Sequence, residues 1–285
     1  MKTLKSLIIA CIITFTSMSY GQDNKLSNSI LWKIESPDLG KSSYLLGTLH
    51  MMCEEDFSIP EKVKAALKNS EQLVLEINLS DPLEMQALQK EVINSPKISE
   101  TLNEDQFATL DSISQGVMGA PLKTFDAYGL TSFYSIIIMK MLPCSQVKSM
   151  ESELTQMALE NKLSIAGFET VTSQYSAIGK AYPPIENYRL ILLHEKYNKD
   201  FNEAIKLYKN EDIEEASNLL MKEEYMDSNA KEHLLKMRNQ QWLSKVPGMM
   251  ASKSNLFAVG AAHLVGPYGL IQLLKEKGYR VTPVL

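Results

Sequence analysis

The sequence predicts an α/β fold: a split, mixed β-sheet core assembled from both ends of the chain around a large helical middle region. Three observations carry this. Short apolar runs bounded by turn formers cluster at 31–77 and return at 256–284. Between them, apolar residues recur at helical spacing, interrupted by one strand-like run at 163–168. No fixed-period repeat, low-complexity tract or long linker divides the chain, so residues 22–285 read as a single α/β domain with helical insertions at about 80–160 and 185–246.

Leu31-Trp32-Lys33-Ile34-Glu35 and Ser43-Tyr44-Leu45-Leu46-Gly47 flank the turn-rich Ser36-Pro37-Asp38-Leu39-Gly40 and predict an antiparallel hairpin. Ser58 and Pro60 then open a helix whose apolar side holds Val63, Ala66 and Leu67. A strand over Leu73–Ile77 follows. Asp81-Pro82-Leu83-Glu84 combines an N-cap acid, a proline at the first helical position and a capping-box glutamate, so a helix starts there. The apolar stretch from Phe133 to Leu142 carries Lys140 and is too short to span a bilayer, which makes it a buried helix. An amphipathic helix over Leu154–Asn161 leads into a strand, Leu163–Phe168, and a helix runs from Ala230 to Val246. The chain closes with a strand over Leu256–Gly260, a helix from Leu270 to Lys277 ended by Gly278, and a last strand, Tyr279–Val284.

The 285 residues are 45% hydrophobic and 22% charged, an ordinary globular composition. A net charge of -5 without a dense Lys/Arg cluster excludes an electrostatic nucleic-acid surface. Lys2 and Lys5, the apolar run Leu7 to Phe15 and the small residues of Ser19-Tyr20-Gly21 follow one another as in a secretory signal peptide over residues 1–21, with cleavage before Gln22. A lipoprotein box at Cys11 is the lesser alternative. The expected product is exported, periplasmic or extracellular, without a stable transmembrane segment. It keeps Cys53 and Cys144, which are open between a disulfide and two free thiols.

Two segments share one construction. Tyr44-Leu45-Leu46-Gly47-Thr48-Leu49-His50 and Phe257-Ala258-Val259-Gly260-Ala261-Ala262-His263 each run an apolar strand into Gly-x-x-His. The glycine permits a tight turn, and the histidine is held beyond the carboxyl edge, where open α/β sheets bind ligands. The other histidines, His194 and His233, lie in charge-rich helical patterns and read as surface or boundary positions. Glu76 and Glu169 each end an apolar run, where a buried carboxylate needs a partner. Two imidazoles with one or two carboxylates suit a divalent ion such as Zn²⁺, Mn²⁺ or Co²⁺.

Gly47-Thr48-Leu49-His50, Leu75-Glu76, Gly167-Phe168-Glu169 with Gln174, Arg238-Asn239 with Trp242, and Val259-Gly260-Ala261-Ala262-His263-Leu264 with Gly266 and Gly269 resemble, in that order, the motifs of the TraB/GumN family. The resemblance spans about Leu31 to Val284. It departs from the family at Phe168-Glu169, where many relatives have Leu-Glu, and the preceding acidic position is represented by Met150-Glu151. The family includes the Tiki metalloproteases, which act on peptides with Mn²⁺- or Co²⁺-type metals, and its fold is similar to the erythromycin esterase and ChaN group. The resemblance implies a metal-dependent hydrolase of peptide amide bonds. His50, Glu76 and His263 would be the ligands, Glu169 a general base, and Arg238 either an oxyanion stabiliser or a clamp for a substrate carboxylate. Alternative expectations are metal-independent ester hydrolysis with His50 as base, and sequestration of a peptide or small molecule without turnover.

Overall fold

The computed structural model describes residues 26–36 and 40–285. The signal peptide, its cleavage site, Cys11 and the centre of the 36–40 turn lie outside the described residues. Strands β1 (Leu31–Glu35) and β2 (Ser43–Thr48) form the expected antiparallel hairpin. Next come β3 (Met52–Cys53), α1 (Glu61–Lys68) and β4 (Gln72–Leu75). The helical middle holds α2 (Pro82–Ile93), α3 (Ile98–Thr101), α4 (Glu104–Met118), α5 (Gly129–Lys140), the short β5 (Val147–Lys148) and α6 (Met150–Glu160). After β6 (Ser164–Gly167) come α7 (Val171–Ala181), α8 (Pro184–Leu192), α9 (His194–Lys209), α10 (Ile213–Leu220) and α11 (Ser228–Lys231). A π-helical turn, Glu232–Lys236, joins α11 to α12 (Met237–Ser252), and β7 (Asn255–Gly260), α13 (Leu270–Glu276) and β8 (Arg280–Pro283) complete the fold.

Six strands form one mixed sheet in the order β6-β4-β7-β2-β1-β8. The neighbours β6, β4, β7 and β2 are mutually parallel, whereas β1 runs antiparallel to both β2 and β8. Late in sequence, β7 lies between two early strands, and all six of its residues are buried. That continuous apolar run, Asn255-Leu-Phe-Ala-Val-Gly260, is what a parallel strand covered on both faces requires. Phe257 of this strand stacks on Phe168, and Phe168 on Trp242, with ring centroids 5.3 and 5.4 Å apart. A separate cluster that includes Leu110, Phe133, Ile137 and Ile191 forms the core of the helical excursion.

Several local expectations change. Ser58 does not cap α1; Pro60 occupies the N-cap with no side-chain bond, and Glu61 supplies the first-turn acid. Asp81 caps α2, but Glu84 closes no capping box and instead accepts from the Val171 N–H at 2.8 Å, joining α2 to α7. The last long helix continues past Val246 through Pro247 to Ser252. Buried Val246 and Met250 anchor it there, and tertiary packing outweighs the lost backbone bond. His194 is buried, its Nδ1 2.7 Å from the Ile191 carbonyl, rather than at the surface. Cys53 and Cys144 form a disulfide beside the two-stranded β3–β5 sheet, which no two-residue apolar pattern could announce.

Candidate functional site

The topology explains why four residues far apart in sequence meet. Parallel β2, β4, β6 and β7 all end at one edge of the sheet, and His50, Glu76, Glu169 and His263 follow those ends within three residues. His50, Glu76, Arg238 and His263 line one cavity of about 320 Å³. Glu169 does not line it. Its carboxylate sits behind, where Oε1 accepts from Arg238 Nε at 2.9 Å, Arg238 Nη2 at 2.5 Å and Gln174 Nε2 at 3.3 Å. A general base must reach the proton it takes. Glu169 is placed to hold Arg238 instead.

The two motif glycines serve close approach rather than a tight turn, since neither has a positive φ. A Cβ on Gly47 would lie 3.1 Å from the Ala261 Cα. A Cβ on Gly260 would lie 3.2 Å from His50 Nε2 and 3.4 Å from Glu76 Oε1. The missing side chain of Gly260 therefore leaves open the space that His50 and Glu76 face.

Both histidines have their tautomers fixed from behind. Asn239 donates through Nδ2 to the carbonyls of His263 at 3.1 Å and Tyr268 at 2.7 Å, which turns its amide oxygen toward His263 Nδ1, 2.7 Å away. An amide oxygen only accepts, so Nδ1 carries the proton and Nε2 keeps its lone pair. His50 Nδ1 donates likewise to Glu151 Oε1 at 2.8 Å, and Thr48 Oγ1 donates to the same oxygen at 2.5 Å. Such acceptors behind an imidazole are the arrangement that orients histidine ligands.

Arg238 ties the acids together. It donates to Glu76 Oε2 at 2.5 Å, to Glu169, to His263 Nε2 at 3.1 Å and to the Leu234 carbonyl at 3.1 Å, while its guanidinium lies 4.7 Å over Trp242. Arg238 is buried and faces the site rather than solvent. A π turn, Glu232–Lys236, lies just before it, and such turns recur at functional sites.

Burial opposes ionisation of Glu76, but His263, which carries a charge only at acid pH, the charges of Arg238 and His50, and the Gly260 N–H, 2.8 Å from Oε1, outweigh it and hold the carboxyl at about 2. Burial drives His263 down to about 3, so its ring is neutral at pH 7 and Arg238 is the cation that holds the Glu76 carboxylate. The charge of Glu151 raises His50 to about 9. Because that ring is 62% exposed, water screens part of the attraction, and the geometry secures the direction of the shift. Glu151 itself is held at about 2, burial being outweighed by His50 and Thr48.

Two carboxylates, Glu76 and Glu169, share the Arg238 guanidinium, and a third, Glu151, pairs with His50, which leaves a formal excess of one negative charge when His50 is protonated. The Glu76 carboxylate, the two imidazoles and the open space over Gly260 are a donor set of the kind a divalent cation takes, and such an ion would have to displace the proton on His50 and the Arg238 N–H on His263 Nε2 to be held there. The donors ring the cavity without closing on one point. Among the described residues, the only His, Cys, Asp or Glu triple with ligand atoms all within 4.8 Å is Cys53, Glu55 and Cys144, whose thiols are joined to each other. Sequence reasoning assigned no role to Glu151, Asn239 or Gln174. Each stands in a motif segment quoted above, and that position was the signal available.

The sequence model of the TraB/PrgY/gumN family matches residues 30–283. The chain belongs to this family. No curated protein and no solved structure matches it significantly. In this TraB/PrgY/gumN chain the match begins at the residue before β1 and ends at the last residue of β8, so it takes in the whole sheet and every residue of the cavity edge.

Proposed function

We propose that the protein is an exported, metal-dependent hydrolase that cleaves amide bonds of a peptide substrate. The observation that carries this reading is the pair of imidazoles at one strand edge, each with Nδ1 engaged from behind, beside the Glu76 carboxylate. His50, Glu76 and His263 would hold the ion. Bound Mn²⁺, Co²⁺ or Zn²⁺ would supply Lewis acidity and lower the pKa of a water molecule. The chain's own residues prepare the place: Glu151 and Asn239 orient the rings, Arg238 and the Gly260 N–H fix both oxygens of Glu76, and helical side chains shield the cavity. Arg238 has its donors committed to protein acceptors, which favours a positioning role over a clamp on a substrate carboxylate. The Cys53–Cys144 disulfide suits an oxidising compartment and supports export.

Ester hydrolysis by His50 acting as a base on water, without metal, is the second reading, and the Thr48–Glu151–His50 chain favours it. The upward shift of His50 weighs against it, because a protonated ring cannot take a proton at pH 7, whereas a metal ion would displace that proton in taking Nε2. Untagged protein incubated with a peptide library, with and without chelator, separates these readings from simple sequestration. Mass spectrometry should show cleaved products that vanish after exhaustive EDTA dialysis and return with Mn²⁺. Bound but uncleaved peptides, or cleavage indifferent to EDTA, would overturn the proposal.

A further inference from the structure

Opposite its polar edge, the cavity has a wall of contrary chemistry. Ile178 of α7, Leu220 of α10, Met226 from the following loop, and Leu234 and Leu235 of the π turn all face it. Each is half-buried. Ile178, Met226, Leu234 and Leu235 belong to neither hydrophobic core cluster, so they are apolar side chains that the core does not use. Apolar surface gathered in a concavity beside convergent polar groups is the usual make-up of a ligand site. Among the residues lining the cavity, Arg238 is the only lysine or arginine, its guanidinium is committed to Glu76, Glu169, His263 and the Leu234 carbonyl, and the His50 ring is paired with Glu151 on the opposite, polar edge. The apolar wall itself holds no cation to receive a carboxylate.

We propose that this wall is a specificity subsite that takes an aliphatic side chain of the leucine or methionine class from the residue flanking the bond to be cut, and disfavours acidic residues. The inference rests on the hydrolytic reading for what happens to that bond. The occupant follows from the cavity's two sides, because a ligand reaching the His50–Glu76–His263 edge must lay its neighbouring group against the apolar wall. At about 320 Å³ the cavity is at the lower end of the range for small-ligand sites, about 300 to 1,000 Å³, so it admits one side chain with its amide. Leucines with a flexible methionine can repack around either shape.

The test uses peptides acetyl-Gly-Gly-X-Gly-Gly-amide, with X as Leu, Met, Ser or Glu. Binding to metal-free protein is measured by calorimetry, and cleavage with Mn²⁺ by mass spectrometry. The Leu and Met peptides should bind about tenfold or more tightly than Ser, with Glu weakest, since a methylene or two in an apolar pocket is worth about 10- to 200-fold. Leu235→Lys should lower affinity for Leu and raise it for Glu by about tenfold each. Ile178→Lys, on a different helix, makes the same exchange if Leu235→Lys does not fold. Equal affinity for Leu and Ser, or an order unchanged by both lysines, overturns the subsite. Leu-selective binding that the lysines invert, with no cleavage in Mn²⁺, upholds the subsite and removes the hydrolytic reading. Cleavage without preference for X does the reverse.

Discussion

Gly260→Ala should separate catalysis from folding at this site. The backbone there, φ -50 and ψ 136, is open to alanine without strain. Loss of glycine's freedom in the unfolded chain adds about 0.4 to 1 kcal/mol of stability. Against this, the new methyl would sit 3.2 Å from His50 Nε2 and 3.4 Å from Glu76 Oε1, so the neighbour must give by a few tenths of an ångström. His50 can give cheaply because its side chain is 62% exposed. Stability should stay within about 1 kcal/mol of wild type, a Tm change of about 2–4 °C at most for a chain of this size class. The reacting geometry is less forgiving. A 1 Å misplacement can cost about a hundredfold, and the methyl also fills the open space between the donors, so kcat/KM and Mn²⁺ affinity should each fall at least about tenfold. Thermal melts, peptide cleavage and calorimetry with Mn²⁺ read the three quantities. A folded variant with kcat/KM within twofold of wild type would refute the reasoning, as would a Tm loss above about 10 °C. Gly47→Ala is the contrast: its Cβ would meet the Ala261 backbone, which cannot give, so about 1–3 kcal/mol of stability should be lost.

His50→Ala should abolish cleavage with little loss of fold; His263→Ala, which removes a buried ring bonded to Asn239 and Arg238, should abolish cleavage and also lower the melting temperature, while His194→Ala, away from the cavity, should lower the melting temperature and leave kcat/KM unchanged; equal kcat/KM for all three would sink the paired-histidine site. Arg238→Ala leaves two buried carboxylates without their cation and should cost about 3–5 kcal/mol in urea denaturation, and adding Glu169→Gln should recover part of it. Glu76 is held at about 2 in the folded chain against 4.5 for an ordinary glutamate, so its contribution is complete above about pH 4.5 and is lost as pH falls through 2. Glu76→Gln should flatten the pH dependence of stability in that window, and an unchanged slope in urea titrations would exclude Glu76 as its source. Reduction of Cys53–Cys144, which spans 91 residues, should cost up to about 4–5 kcal/mol and lower activity, because β3 and β5 carry the chain from His50 to Cys53 and from Val147 to Glu151; melts and assays with dithiothreitol check both.

The apolar strand runs and the two Gly-x-x-His segments made the strand ends readable, because each run had to be buried and each was followed by a residue that could not be. That placed His50, Glu76, Glu169 and His263 at strand ends, though not in spatial order. Pairing decides the order: β7 brings His263 between β4 and β2, and nothing in residues 255–260 names those neighbours. The same gap hid the division of labour between the glutamates. Glu76 and Glu169 look alike in sequence, but β6 is the edge strand, so Glu169 falls one strand farther out and meets Arg238 instead of the cavity. Glu151 was hidden for another reason. It reaches His50 from the first turn of α6, and a helix-start acid reads simply as compensation for the helix dipole.

The position of β7 has a consequence for how the protein is made. A ribosome delivers β2, β4 and β6 well before β7, and until Asn255–Gly260 emerges there is no strand to separate β4 from β2. A nascent or prematurely ended chain lacks His263 and also the surface against which His50 and Glu76 are set, since the Gly260 N–H and the gap over Gly260 arrive with the same strand. The His50–Glu76–His263 edge therefore assembles in one step when β7 joins the sheet, and a chain stopped before Asn255 holds neither the third residue nor the backbone that sets the other two.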